Sequence, residues 1–374
     1  MKSIVITFAA IASLGILGGA CTGKGNANNQ AADTVLSPRE QLRATLMAAE
    51  TQGRVLFGHD DDPVYGHTWV GDTGRSDVLE VVGQYPAIMN WDMGGIEVGD
   101  TANLDRVPFS RMRAEIQAQH ARGGINAFSW HPVQNAKGGG DSWNVNDSTV
   151  VTWILADSAT NAAFRAQVAS VAAFFNSLTD ADGQKIPVIF RPWHENSGSW
   201  FWWGAPYCTP DEYRQLWQIT REEFDRAGVD QVLWAYSPDR CQTIEQYASR
   251  YPGDELVDIV GTDIYHFGGA EGTDNFRADA ARNLAVVTEF ASEHGKIAAF
   301  TETGLEGQVI PDWWTEVLLP LLKEYPVAYV VLWRNAHDKP DHFYTPYPGH
   351  PAEESFKAFA ADSTIIFVND IKNL

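Results

Sequence analysis

Short runs of apolar residues recur along this chain, and between them the apolar positions fall three and four residues apart. The runs are Val55–Gly58, Pro86–Trp91, Ile125–His131, Ile186–Trp193, Gln231–Tyr236, Val257–Thr262, Ile297–Thr301 and Val327–Trp333. Continuous runs of this length read as strands buried on both faces, as in a parallel sheet. The segments Phe164–Leu178, Tyr213–Arg226, Phe276–His294 and Trp314–Tyr325 carry helical spacing, and Glu354–Phe359 adds a last helix. Gly123-Gly124, Gly228 and Gly295 stand where helices end ahead of strands. Ser37-Pro38-Arg39-Glu40 combines a cap residue with a first-turn proline and opens a leading helix to about Gln52.

Eight buried strands alternating with helices predict an α/β fold, the (β/α)8 TIM barrel, as a single domain over residues 37–374. An open doubly wound sheet is the alternative. Its usual Gly-rich phosphate cradle is missing, since Gly58-His59-Asp60-Asp61 follows the first strand, and no cofactor is expected. Residues 132–160, with Gly138-Gly139-Gly140, Trp143 and Trp153, read as a long loop at the C-terminal face, where barrel loops shape a cleft.

Active sites on this fold gather side chains from the C-terminal ends of the strands. Those ends offer His59, Trp91-Asp92, Trp130-His131, His194-Glu195, Tyr236 and Asp239, Asp263 with Tyr265-His266, Glu302, and Trp333-Arg334. Glu195 and Glu302 stand out. Each follows a short apolar strand, and with three strand steps between them they can face one another across the barrel mouth. Trp200, Phe201, Trp202 and Trp203 come directly after Glu195. Indole faces stack on the C–H faces of sugars, and paired carboxylates do acid/base and nucleophilic work on glycosidic bonds. The plainer alternative is a buried Glu195 paired with Arg191, with the tryptophans as core. His131 and His194 read either as cleft residues or as satisfied core histidines, Trp202 and Trp203 either as binding residues or as packing, and Asp263 as a structural acceptor.

Composition narrows the partners. The chain has 374 residues, 14 tryptophans and a formal net charge of −21. That charge argues against nucleic acid and anionic membrane surfaces, and suits a neutral polymer. Lys2, the apolar run Ile4–Leu17 and Gly18-Gly19-Ala20 form an export signal over residues 1–20, too short to span a membrane. Cys21 follows small residues and is read as a lipid-anchor site, with plain secretion as the alternative. Residues 22–36 carry little apolar bulk and read as a tether. The protein is thus expected to be exported and a monomer, touching a membrane only through the lipid on Cys21. Cys208 and Cys241 fall in loops that a barrel makes neighbours. They are expected to form a disulfide in an oxidising compartment, with two free buried thiols as the alternative. Neither cysteine has zinc-ligand spacing, and no metal is expected.

Arg191-Pro-Trp-His-Glu-Asn-Ser-Gly-Ser-Trp200 and Thr301-Glu-Thr-Gly304 resemble glycoside hydrolase family 26, the family of β-mannanases. So do Phe57-Gly58-His59 with Asp61–Gly66, Ser129–Pro132, Asp263-Ile-Tyr265 and Leu332–Asn335. These motifs lie in order over roughly residues 37–365. The resemblance implies a retaining β-1,4-mannan hydrolase with Glu195 as acid/base and Glu302 as nucleophile. It implies that Tyr265 bonds the nucleophile, that His131, His194 and Arg334 line the cleft, that Trp333 floors the attacked sugar, and that Trp200 stacks on the leaving-group side. Relatives acting on mixed-linkage glucan or β-1,3-xylan leave those substrates open. So does a non-catalytic glycan-capture lipoprotein, which has no need of two matched carboxylates. Endo and disaccharide-releasing attack are not distinguished.

Overall fold

The computed structural model describes Leu36–Leu374 except Gln308. The export signal, Cys21 and the tether through residue 35 lie outside the described residues.

Eight parallel strands close on themselves: β1 (Val55–Asp60), β2 (Ile88–Asp92), β3 (Ile125–Ser129), β4 (Val188–Arg191), β5 (Val232–Tyr236), β6 (Ile259–His266), β7 (Ile297–Leu305) and β8 (Tyr329–Leu332). Each pairs with its neighbour in sequence, and β8 returns to β1 with Leu56 opposite Tyr329 and His59 opposite Leu332. A two-residue strand, Ile365–Ile366, fills the lower end beside β1. This is the predicted TIM barrel.

Alternation along the strands divides the core in two. Leu56, Ile88, Ala127, Ile189, Leu233, Ile259, Ala299 and Val331 fill one cluster, while Phe57, Met89, Phe128, Phe190, Trp234, Val260 and Phe300 join a second. Gly58 sits where a Cβ would come 2.9 Å from Val331 and 3.2 Å from Ile88, so only glycine admits both neighbours. The leading helix α1 (Pro38–Thr51) places Leu42, Leu46 and Ala49 in the same cluster as Leu56 and Ile88. Ser37 and Glu40 form a reciprocal capping box at its start. Arg39 reaches Asp258 at 2.6 Å and Glu50 accepts from the Ala298 N–H at 2.9 Å, fastening the helix to the strands.

Two stretches depart from expectation, and both bear on the site. Strands β6 and β7 run four residues past the predicted ends, so Asp263, Tyr265 and Glu302 lie on strands rather than after them. A register shift between Thr262 and Asp263 sets Asp263 opposite Glu302. The extension is polar, which masks it in an apolar pattern. Residues 132–160 are not all loop. Val150–Ala156 is a helix, because Val150, Val151 and Ile154 bury, and Asp157 then caps the helix Ser158–Asn176.

The expected disulfide is corrected: Cys208 and Cys241 are free, buried thiols. The two cysteines have separate hydrogen-bond partners. The Cys208 Sγ lies 3.2 Å from the Trp203 carbonyl and 3.4 Å from Arg250, and the Cys241 backbone N–H is held 2.7 Å from Asn283. Burial raises the pKa of both, that of Cys241 to about 12, which disfavours the thiolate that disulfide chemistry needs.

Candidate active site

After β4 the chain turns through Pro192-Trp193-His194-Glu195. Trp193 and Glu195 both adopt left-handed backbone, with φ of 55° and 52°. Such strain in bulky residues persists only where the surroundings over-determine it. Here the Trp193 indole donates to Thr220 at 3.1 Å and its carbonyl accepts from the Tyr213 hydroxyl at 2.7 Å. The Trp203 indole donates to the His194 carbonyl at 2.8 Å, and the Glu195 N–H donates to the Ser237 carbonyl at 2.7 Å. Trp202 and Trp203 are buried and brace this turn.

The Glu195 side chain accepts a hydrogen bond from the Trp200 indole at 2.5 Å. Burial pushes its pKa well up, and the negative charges of Glu302, Asp263 and Asp239 push in the same direction. The carboxyl therefore keeps a proton above the ordinary range, as a general acid must. Arg191 does not pair with Glu195. It donates to Glu302, to Asp263 at 2.7 Å and to Ser237 at 3.2 Å. The second Glu302 oxygen accepts from the Tyr265 hydroxyl. Glu302 thus has both oxygens held, one by a cation and one by a phenol. Asp263 is the acceptor the sequence suggested: Thr301 donates to its other oxygen at 2.7 Å.

A buried polar chain runs beside this pair. The Asp92 carboxylate lies 2.5 Å from His131 Nδ1, and His131 Nε2 lies 2.9 Å from His194 Nε2. With a neutral His131 donating its Nδ1–H to the Asp92 carboxylate, its Nε2 accepts, so His194 donates through Nε2. Burial, Arg191 and His131 all lower the His194 pKa, which keeps that ring neutral. This hydrogen-bonded row orients both rings.

Trp333 stands 6.2 Å from the His131 ring, centroid to centroid. Arg334 is tied to Asp105 at 2.9 Å and lies 3.4 Å from the Tyr65 hydroxyl. Trp143 lies flat on His131 at 5.0 Å with its ring about half exposed. The sequence placed Trp143 in a cleft-shaping loop without placing it on His131, and Asp105 escaped notice, since neither loop has a period to reveal its fold.

Other strand-end candidates stay out of this cluster. His59 bridges Asp62 at 2.7 Å and Thr345 at 3.2 Å, joining the loops after β1 and β8. Tyr236 donates to the Tyr247 carbonyl in the core. Among the described residues no group of three or more His, Cys, Asp or Glu side chains is arranged to hold a metal ion.

Known proteins are similar to this chain in sequence and fold. The model of glycosyl hydrolase family 26 matches residues 38–314. A mannan endo-1,4-β-mannosidase of Bifidobacterium adolescentis is 31% identical over 308 residues, covering 76% of this chain and 30% of that protein. One from Bacillus subtilis strain 168 is 32% identical over 224 residues, covering 58% of this chain and 59% of that protein. The chain thus spans less than two thirds of either curated relative. The structure of a family 26 β-mannanase from Bacteroides ovatus superposes with a TM-score of 0.87 at 44% identity, covering 90% of this chain and 96% of that one. The chain belongs to glycoside hydrolase family 26.

Proposed function

We propose that this protein hydrolyses β-1,4-mannan with retention of configuration, using Glu302 as nucleophile and Glu195 as acid/base. The single observation that carries the proposal is the unequal treatment of two carboxylates. Glu302 faces a guanidinium and a phenol, whereas Glu195 is pushed towards its protonated form by burial and by the charge of Glu302. Two carboxyl groups whose surroundings divide them in this way suit a nucleophile and an acid.

In the first step a Glu302 oxygen bonds to the anomeric carbon, and Glu195 gives its proton to the departing glycosidic oxygen. In the second step Glu195, now a carboxylate, takes a proton from water. The resulting hydroxide bonds to the anomeric carbon and Glu302 is released. Arg191 and Tyr265 hold Glu302 for attack, and Trp200 fixes Glu195 towards the leaving group. Trp333 lies under the attacked sugar, with His131, His194 and Arg334 around it. The names of the relatives support mannan over other β-glycans. We also propose that the protein is exported and lipid-anchored through Cys21, on its sequence pattern alone.

Incubation with galactomannan, mixed-linkage glucan and β-1,3-xylan tests the substrate. Release from mannan alone is expected, and preferred release from either other polymer overturns it. NMR of the first product from mannopentaose tests the stereochemistry, with the β-anomer expected and initial α-anomer contradicting it.

A further inference from the structure

Among the described residues the large apolar rings left exposed are Trp143, Trp153, Trp200 and Phe267, and Phe267 is the most exposed at 64%. All four follow C-terminal ends of barrel strands. A lone exposed phenyl needs no explanation in itself. This one directly follows β6, two residues after the tyrosine that bonds Glu302, and its ring centroid lies 6.2 Å from that of Tyr265.

The turn presenting the ring is pinned. Gly268 and Gly269 take φ of 80° and 56°, which a side chain would strain. The His266 ring accepts from the Trp313 indole at 2.9 Å and donates to the Gly269 carbonyl at 2.8 Å. It lies flat on Phe276 at 5.0 Å. A Cβ on Gly272 would fall 1.8 Å from the Phe267 carbonyl, so the chain folds back tightly against this residue. The loop therefore holds an apolar ring in water with little freedom to withdraw it.

Strand order, together with the place of Trp333 under the attacked sugar on the proposed reading, assigns the ring to one part of a substrate. Glu195 follows β4 and Glu302 lies on β7, so β5 and β6 occupy one arc between them and β8, β1, β2 and β3 the other. Trp333 and Arg334 directly follow β8. On the proposed mannanase reading, a chain passing between the carboxylates lays its attacked end over the β8 arc and its leaving-group end over the β5–β6 arc.

We propose that Phe267 is a stacking platform for a β-1,4-linked hexopyranose unit on the leaving-group side, beyond the unit at Trp200. It would favour substrates that extend past the scissile bond. The inference rests on the mannanase reading, and the test separates the two. Values of kcat/KM are compared for mannohexaose and for an aryl β-mannobioside, whose leaving group carries no sugar. In Phe267→Ala the ratio of the first to the second is expected to fall roughly fivefold to tenfold, the scale of ring stacking, and Phe267→Trp is expected to restore it. If the intact enzyme cleaves both substrates and Phe267→Ala leaves the ratio in place, or lowers both values equally, the platform is wrong and the mannanase reading stands. If the intact enzyme cleaves neither, the mannanase reading falls and the platform falls with it.

Discussion

Replacing Arg191 by Met removes one buried cation from between two buried carboxylates while keeping an unbranched side chain of similar reach. The Arg191 side chain is 4% exposed, and Asp263 and Glu302 are 0% and 7% exposed. Burial opposes the guanidinium charge, but Asp263 and Glu302 outweigh it and raise its pKa above the usual value. Loss of the cation strips both carboxylates of their counter-charge at once. Asp263 keeps Thr301 at 2.7 Å and Ser237 at 3.0 Å, and Glu302 keeps Tyr265. Removing one partner of a buried ion pair costs about 3–5 kcal/mol, because the remaining charge is left uncompensated. A fall in Tm on the order of 10 °C is expected. The double variant Arg191→Met/Glu302→Gln removes one of the stranded charges. It should recover about 1–3 kcal/mol relative to the sum of the single changes. Chemical denaturation of the four proteins in this cycle measures both terms. A loss under about 1 kcal/mol in the single variant, or additivity across the cycle, would refute the view of Arg191 as the counter-charge of Glu302.

Further outcomes follow from the same site. Glu195→Gln should abolish cleavage of mannan and stabilise the fold. Its folded pKa lies above the ordinary 4.5, so ionisation removes stability as pH rises from about that value, and the gain over the parent should grow with pH in thermal melts. The alkaline fall of kcat/KM should track loss of the Glu195 proton. Trp200→Phe removes a bond that lowers this pKa, so that limb should move to higher pH; movement to lower pH contradicts the assignment. Denaturing alkylation without reductant should label both Cys208 and Cys241, and absence of label on either would restore the disulfide.

Much of the barrel was legible because parallel strands buried on both faces leave continuous apolar runs, and all eight runs became strands. The two glutamates were legible because each ends such a run. Their unequal surroundings were not. Arg191 reads equally well as a partner for Glu195, and only the register shift in β6 and the polar extension of β7 bring Asp263 and Glu302 to the guanidinium. Trp202 and Trp203 illustrate another limit. Indoles after a strand end suggest sugar stacking, but these two brace a strained turn, while Trp143, from a loop with no pattern, lies on His131. The disulfide was misjudged because neighbouring loops fix proximity only coarsely, and the Trp203 backbone carbonyl and the Arg250 guanidinium meet the Cys208 thiol first.

The division of labour between Glu302 and Glu195 is tested most directly by trapping the covalent intermediate. A 2-deoxy-2-fluoro-β-mannosyl fluoride slows both steps, and its good leaving group lets the first still proceed. Peptide mass analysis of the inactivated enzyme should find one fluoromannosyl ester, on Glu302. An ester on Glu195, or turnover with no adduct on either glutamate, contradicts the assignment.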